Sequence, residues 1–76
     1  MDLSKAIRVL MEEKDLSRND VVQETSWSPA YISDVRNGQA DPSARLTEWA
    51  EVLGVSASEL VIRAESYPDP PRKAVA

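Results

Sequence analysis

The 76-residue sequence predicts an all-α domain of five short helices around one core. Three observations point there. Apolar residues recur at helical spacing, serine and aspartate start signals stand before each recurrence, and no stretch alternates apolar and polar residues as a half-buried strand would. No internal repeat is visible. A chain this short buries only roughly 60 to 65% of its unfolded surface, so all five helices must share one core.

Residues 3 to 14, "LSKAIRVLMEEK", set Leu3, Ile7, Leu10 and Met11 at helical spacing with charges between them, a first helix started by Asp2 or Ser4. Leu16 precedes Ser17-x-x-Asp20, which has capping-box spacing and opens a second helix to about Thr25, with Val21, Val22 and Thr25 inward. Ser28 followed by Pro29 is an N-cap with proline in the first turn, where a missing N–H costs nothing. The third helix turns Ile32 and Val35 inward and stops at Asn37-Gly38. Ser43 then caps a fourth helix with the stripe Leu46, Trp49, Ala50 and Leu53, which Gly54 ends. Ser56-x-x-Glu59 is a second capping box, launching a fifth helix through about Glu65 with Leu60, Val61 and Ala64 inward. The expected core is Leu10, Val21, Ile32, Val35, Leu46, Trp49, Leu53 and Leu60. Residues 1–65 form this domain, and 66–76, with three of the five prolines, read as an extended or disordered tail.

Composition excludes several classes of function. Without cysteine or histidine there are no disulfides, no thiolate or imidazole metal sites and no histidine base, so no enzyme, metal or cofactor is expected. Glu12 and Glu13 are adjacent on a helix, point in different directions and read as a solvated face. The apolar runs are short and no charged-then-apolar leader opens the chain, which suggests a cytoplasmic protein that neither spans a membrane nor is secreted. Thirteen acidic and nine basic side chains leave a net charge of −4. That balance opposes nucleic-acid binding, which draws its non-specific affinity from neutralised phosphates. Within residues 18–37, two arginines face three carboxylates, a net of −1.

The order of pieces nevertheless resembles a known family. "LSRNDVVQET", "WSPAYISDVRNG", "DPS" and "WAEVLGVSASEL" follow one another as in the Cro/CI-type phage repressors, the Xre-like helix-turn-helix proteins. The likeness runs from about Leu3 to Ala64 and implies a lambda-repressor-like helix-turn-helix domain. Ser26 stands where that family usually turns on glycine and Val22 where it usually has alanine. The linker into the fourth helix is about one residue shorter than expected.

The resemblance implies that residues 18–25 lie across the phosphate backbone and that 28–37 enter the major groove. Base reading then falls to Ser28, Ala30, Tyr31, Ser33 and Asp34. Ala30 would pack against a thymine methyl, Tyr31 and Ser33 would donate hydrogen bonds, and Asp34 would accept from cytosine N4. Pro29 offers no polar group. Ser17, Arg18 and Asn19, with Arg36 and Asn37, would hold phosphates. The plainer readings are a surface charge near Glu24 or Asp20 for Arg18, and a pair with Asp41 or an acid of the first helix for Arg36. Trp27 reads as a core plug, with an exposed partner anchor as its alternative.

Two functions follow. One is a sequence-specific DNA-binding transcriptional regulator, a repressor of phage or bacterial type acting as a homodimer on a palindromic operator in double-stranded DNA. The other keeps the fold and binds a protein partner, as an antirepressor, antitoxin module or adaptor meeting a basic surface through its acids.

Overall fold

The computed structural model describes residues 1–68, and in them the chain forms five α-helices and no strand. They are α1 (Leu3–Glu13), α2 (Arg18–Glu24), α3 (Pro29–Arg36), α4 (Leu46–Leu53) and α5 (Ala57–Glu65). Among the described residues no helix is long and apolar enough to cross a membrane.

Local chemistry accounts for most helix starts. The Asp2 carboxylate accepts from the Lys5 N–H at 3.0 Å, so Asp2 rather than Ser4 caps α1. At α2 the full capping box forms: Ser17 Oγ accepts from the Asp20 N–H and Asp20 Oδ2 from the Ser17 N–H, at 3.2 and 2.8 Å. Ser28 caps α3 with Pro29 in its first turn. Ser56 caps α5 by accepting from the Glu59 N–H, while the returning carboxylate bond is not made among the described residues.

The start of α4 departs from the expectation. Asp41, not Ser43, is the capping residue: its carboxylate accepts from the Ser43 N–H at 3.0 Å and opens a 3₁₀ turn over Pro42–Arg45. Proline at the first position of that turn and an aspartate before it form a stronger start than the serine behind them. Helix α4 therefore begins only at Leu46, with no side-chain cap. Leu46 is half-buried and lies at the edge of the core, not within it.

Three helices end alike. After α1, α3 and α4 the chain passes through a left-handed residue, Asp15, Gly38 or Gly54, and the next N–H closes back onto the helix. These bonds run from Leu16 to Met11, Gln39 to Asp34 and Val55 to Ala50, at 2.8, 2.7 and 3.0 Å.

The core is Ala6, Ile7, Leu10, Met11, Val21, Ile32, Val35, Trp49, Ala50, Leu53, Leu60 and Ala64, all apolar. Of α2 only Val21 is buried, with Val22 and Thr25 half-covered. Helix α5 packs on α1 and α4, and α3 packs on α2 and α1. The α1–α5 seam carries a forked ion pair: Arg63 Nη1 and Nη2 reach Glu13 Oε2 and Oε1 at 2.7 and 3.1 Å. Glu13 lies on the exposed face as expected and is also paired there, and the guanidinium holds its carboxyl below the usual range. Tyr67, at the start of the expected tail, packs beside the core with the Lys5 ammonium 4.8 Å over its ring. Residues 69–76 of that tail lie outside the described residues.

Candidate nucleic-acid interface

Helices α2 and α3 form the turn-and-helix pair, and their side chains meet across it. Arg18 at the start of α2 donates from Nη1 to Ser33 Oγ on α3 at 3.0 Å. A cleft of about 290 Å3 lies alongside, lined by Ser17, Arg18, Asn19 and Arg36. The structure so brings together four of the five residues expected to meet phosphate. Two amides at this end of α2 are already used. The Ser17 and Asp20 N–H groups serve the capping box, and the bond from the Ser17 N–H, with a smaller part from its side chain, keeps the Asp20 carboxyl below its ordinary range.

Arg36 lies partly inside the fold. Its Nε is buried and has no hydrogen-bond partner among the described residues. The pairing with Asp41 or with an acid of α1 is not made among the described residues, and Asp41 is occupied by Ser43. What α1 contributes beside Arg36 is another cation: Arg8 Nη1 donates to the Arg36 carbonyl at 3.4 Å. Arg8, Arg36 and Asn37 also line a broader cleft of about 870 Å3 between the start of α1 and the loop after α3. Sequence reasoning missed Arg8, because nothing in its surroundings on α1 signals that it closes on the end of α3.

The outer surface of α3 is set by its two buried residues. With Ile32 and Val35 inward, a rotation of about 100° per residue turns Ala30, Asp34 and Asn37 outward. All three are exposed. Ser28 is exposed as well, although its hydroxyl already caps the helix through the Tyr31 N–H at 3.2 Å. Asn37 is the C-cap, and its N–H returns to the Ser33 carbonyl at 2.9 Å.

Tyr31 occupies a different environment. Its ring meets Trp27 edge-on at 5.5 Å between centroids, and its hydroxyl accepts from Trp49 Nε1 at 3.3 Å. Trp27 in turn lies 4.8 Å from Trp49, half-buried as a plug between α3 and α4. The Arg45 guanidinium stands 4.8 Å over Tyr31 and 5.5 Å over Trp27. Tyr31 keeps one O–H hydrogen to donate, but its ring is held on the core side of the helix edge.

The sequence matches the family model described as a helix-turn-helix domain over residues 2–61. It is 35% identical over 60 residues to an uncharacterized HTH-type transcriptional regulator of Sinorhizobium fredii, a match covering 78% of each chain. No solved structure matches it.

Proposed function

The chain belongs to the helix-turn-helix family, and from that premise we propose that it is a DNA-binding transcriptional regulator without catalytic activity. The finer reading is a Cro/CI-type repressor of phage or bacterial origin, acting in the cytoplasm as a homodimer on a palindromic operator. In it α3 enters the major groove and α2 rests against one phosphate strand. One observation carries this reading: the exposed face of α3 is bordered by Arg18 and Arg36, and neither has a carboxylate partner among the described residues. Unpaired guanidiniums beside a protruding helix suit phosphate, whereas a purely structural arginine would be expected to have found an acid. Ser33, Ala30, Asp34 and Asn37 are the side chains proposed to face bases or sugar-phosphate.

A second reading, a protein-binding module, draws on Asp34. Its carboxylate lies on the outer face of α3, exposed and, among the described residues, without a side-chain partner, in a chain of net charge −4. The two readings give opposite signs for one substitution. Asp34→Asn removes a charge with little change of shape. If α3 enters a groove, affinity for random duplexes rises while preference for a selected site falls, because a repulsion against every phosphate is relieved and a cytosine contact is weakened. Titrating wild type and variant against selected and random duplexes decides between them. Unchanged DNA binding in both titrations would remove Asp34 from the groove-facing set. No duplex binding at all by the wild type would turn the assignment to the protein partner.

A further inference from the structure

Arg36 ends α3 with a donor that the fold leaves unmet. Buried polar groups are nearly always hydrogen-bonded, so its orphaned Nε calls for an acceptor from outside the chain. Among the described residues no carboxylate pairs with it. What the fold sets beside Arg36 is a second guanidinium: Arg8 Nη1 donates to the Arg36 carbonyl at 3.4 Å. That bond suits the negative end of a helix and occupies only one corner of the Arg8 fork. Both arginines line the cleft of about 870 Å3 between the start of α1 and the loop after α3. This cleft is locally basic in an acidic chain. Lys5, Arg8 and Arg36 set three positive charges against the carboxylates of Asp2 and Asp41, a net of +1 where the whole chain carries −4. Both carboxylates already serve as caps, accepting from the Lys5 and Ser43 N–H groups. Leu3 and Ala40, half-buried, add apolar wall, and the volume falls within the range of about 300 to 1,000 Å3 usual for small-molecule sites.

We propose that this cleft binds a small organic oxyanion, a carboxylate or phosphate on a compact apolar body, held by Arg8 and Arg36, and that such a ligand loosens the grip on DNA. The second half rests on the reading of the chain as a DNA-binding regulator. Guanidinium forks match the paired oxygens of either anion, and the half-buried apolar wall takes the body that carries it. A turn of the Arg36 side chain toward the ligand gives its Nε the acceptor it lacks. Arg36 is also the link to DNA, because it lines the smaller cleft with Ser17, Arg18 and Asn19 that is proposed to meet phosphate. An anion bound on the Arg8 side draws the shared guanidinium from the α2 side. Each anion then weakens the other by the same factor, as linkage requires.

The first test needs no DNA. Inorganic phosphate, phenyl phosphate and benzoate are titrated in turn into the full-length chain, with sodium chloride holding the ionic strength constant, and the arginine Nε–H resonances are followed by NMR. Saturable shifts are expected at Arg8 and Arg36, with phenyl phosphate binding more tightly than inorganic phosphate; the comparison with benzoate tells which oxyanion the site prefers. Arg8→Gln and Arg36→Gln should each weaken binding by about tenfold, the worth of one charge-assisted hydrogen bond. Arg18→Gln, outside this cleft, should leave it unchanged. Arg8→Lys and Arg36→Lys keep the charge without the fork, should fall between glutamine variant and wild type, and carry the comparison where a glutamine variant does not fold. The site is overturned if no probe shifts these resonances beyond what chloride does, or if Arg18→Gln weakens binding and Arg8→Gln does not, which would place the anion in the α2 cleft. The second test uses a duplex selected by the wild type from a random pool. The tightest probe should weaken DNA binding by the wild type and leave that of Arg8→Gln unaffected, whereas equal weakening of both overturns the link. A wild type that binds no duplex overturns the regulator reading and the link with it, while the titration without DNA still decides the site.

Discussion

Asp15 shows how much one backbone angle decides. Among the described residues it is the only non-glycine with a positive φ, at +55°, and it stands where α3 and α4 are followed by Gly38 and Gly54. A side chain at that angle crowds its own carbonyl, and aspartate bears this better than most residues without escaping the cost. Asp15→Gly should therefore stabilise the fold by about 1 kcal/mol, and Asp15→Ala should destabilise it by a similar amount. Urea midpoints at constant m-value measure both; a glycine variant no more stable than wild type would mean that the Asp15 side chain supports the turn. The same scale governs the arginines. Arg18, Arg36 and Arg45 are chemically alike in the sequence, yet one bonds a serine, one buries its Nε and one lies over two rings.

Helices were legible where their signals are local. Asp2, Ser17, Ser28 and Ser56 each lie three residues from the amide they cap, so spacing alone finds three of these starts and leaves Asp2 or Ser4 for the fourth. The start of α4 differs from the sequence expectation because two start signals overlap, Asp41-Pro42 and Ser43, and the aspartate-proline pair opens a 3₁₀ turn ahead of the serine. The side-chain ties that shape the candidate site are non-local, Arg18 to Ser33 spanning 15 residues and Tyr31 to Trp49 spanning 18, and the forked pair on the α1–α5 seam, Glu13 to Arg63, spans 50. No periodicity announces such pairs, which is why Arg8 and Arg45 were absent from the residues proposed on sequence. The caps also set an acid limit. Hydrogen bonds from Ser17 and Ser43 N–H groups hold the carboxyls of Asp20 and Asp41 below their ordinary range, and Arg63 does the same for Glu13. A folded-state pKa lower than the unfolded one contributes stability that is fully present above the unfolded value and lost as pH falls through the folded one. The melting temperature should accordingly hold from neutral pH to about pH 5 and fall as pH drops below about 4. Asp20→Asn should make that fall shallower, and an identical acid profile in the variant would show that the α2 cap does not contribute to it.

At the scale of the whole molecule, the difficulty for a DNA-binding reading is the net charge of −4, and its distribution answers part of it. Arg63 is committed to Glu13, so it is not free to serve phosphate. Arg8, Arg18, Arg36 and Arg45 have no carboxylate partner among the described residues and border α3 or the clefts beside it. Glu48, Glu51, Glu59 and Glu65 are exposed on α4 and α5, outside the pair of helices proposed to meet DNA. Four cations near one helix neutralise at most about four phosphates, and each contributes about −0.9 to the slope of log affinity against log salt. A slope of about −3 to −4 per bound chain is expected, against roughly −10 for a strongly basic repressor. The exposed acids add a second effect. They repel the duplex over a distance that shrinks as the Debye length falls to about 10 Å at 0.1 M, so raising salt relieves a repulsion while it weakens the contacts. The plot should therefore flatten at its low-salt end instead of remaining straight. Mobility shifts from 20 to 250 mM salt measure both features; a straight line steeper than about −6 per chain would mean that further cations reach phosphate and that the acids of α4 and α5 do not act at a distance.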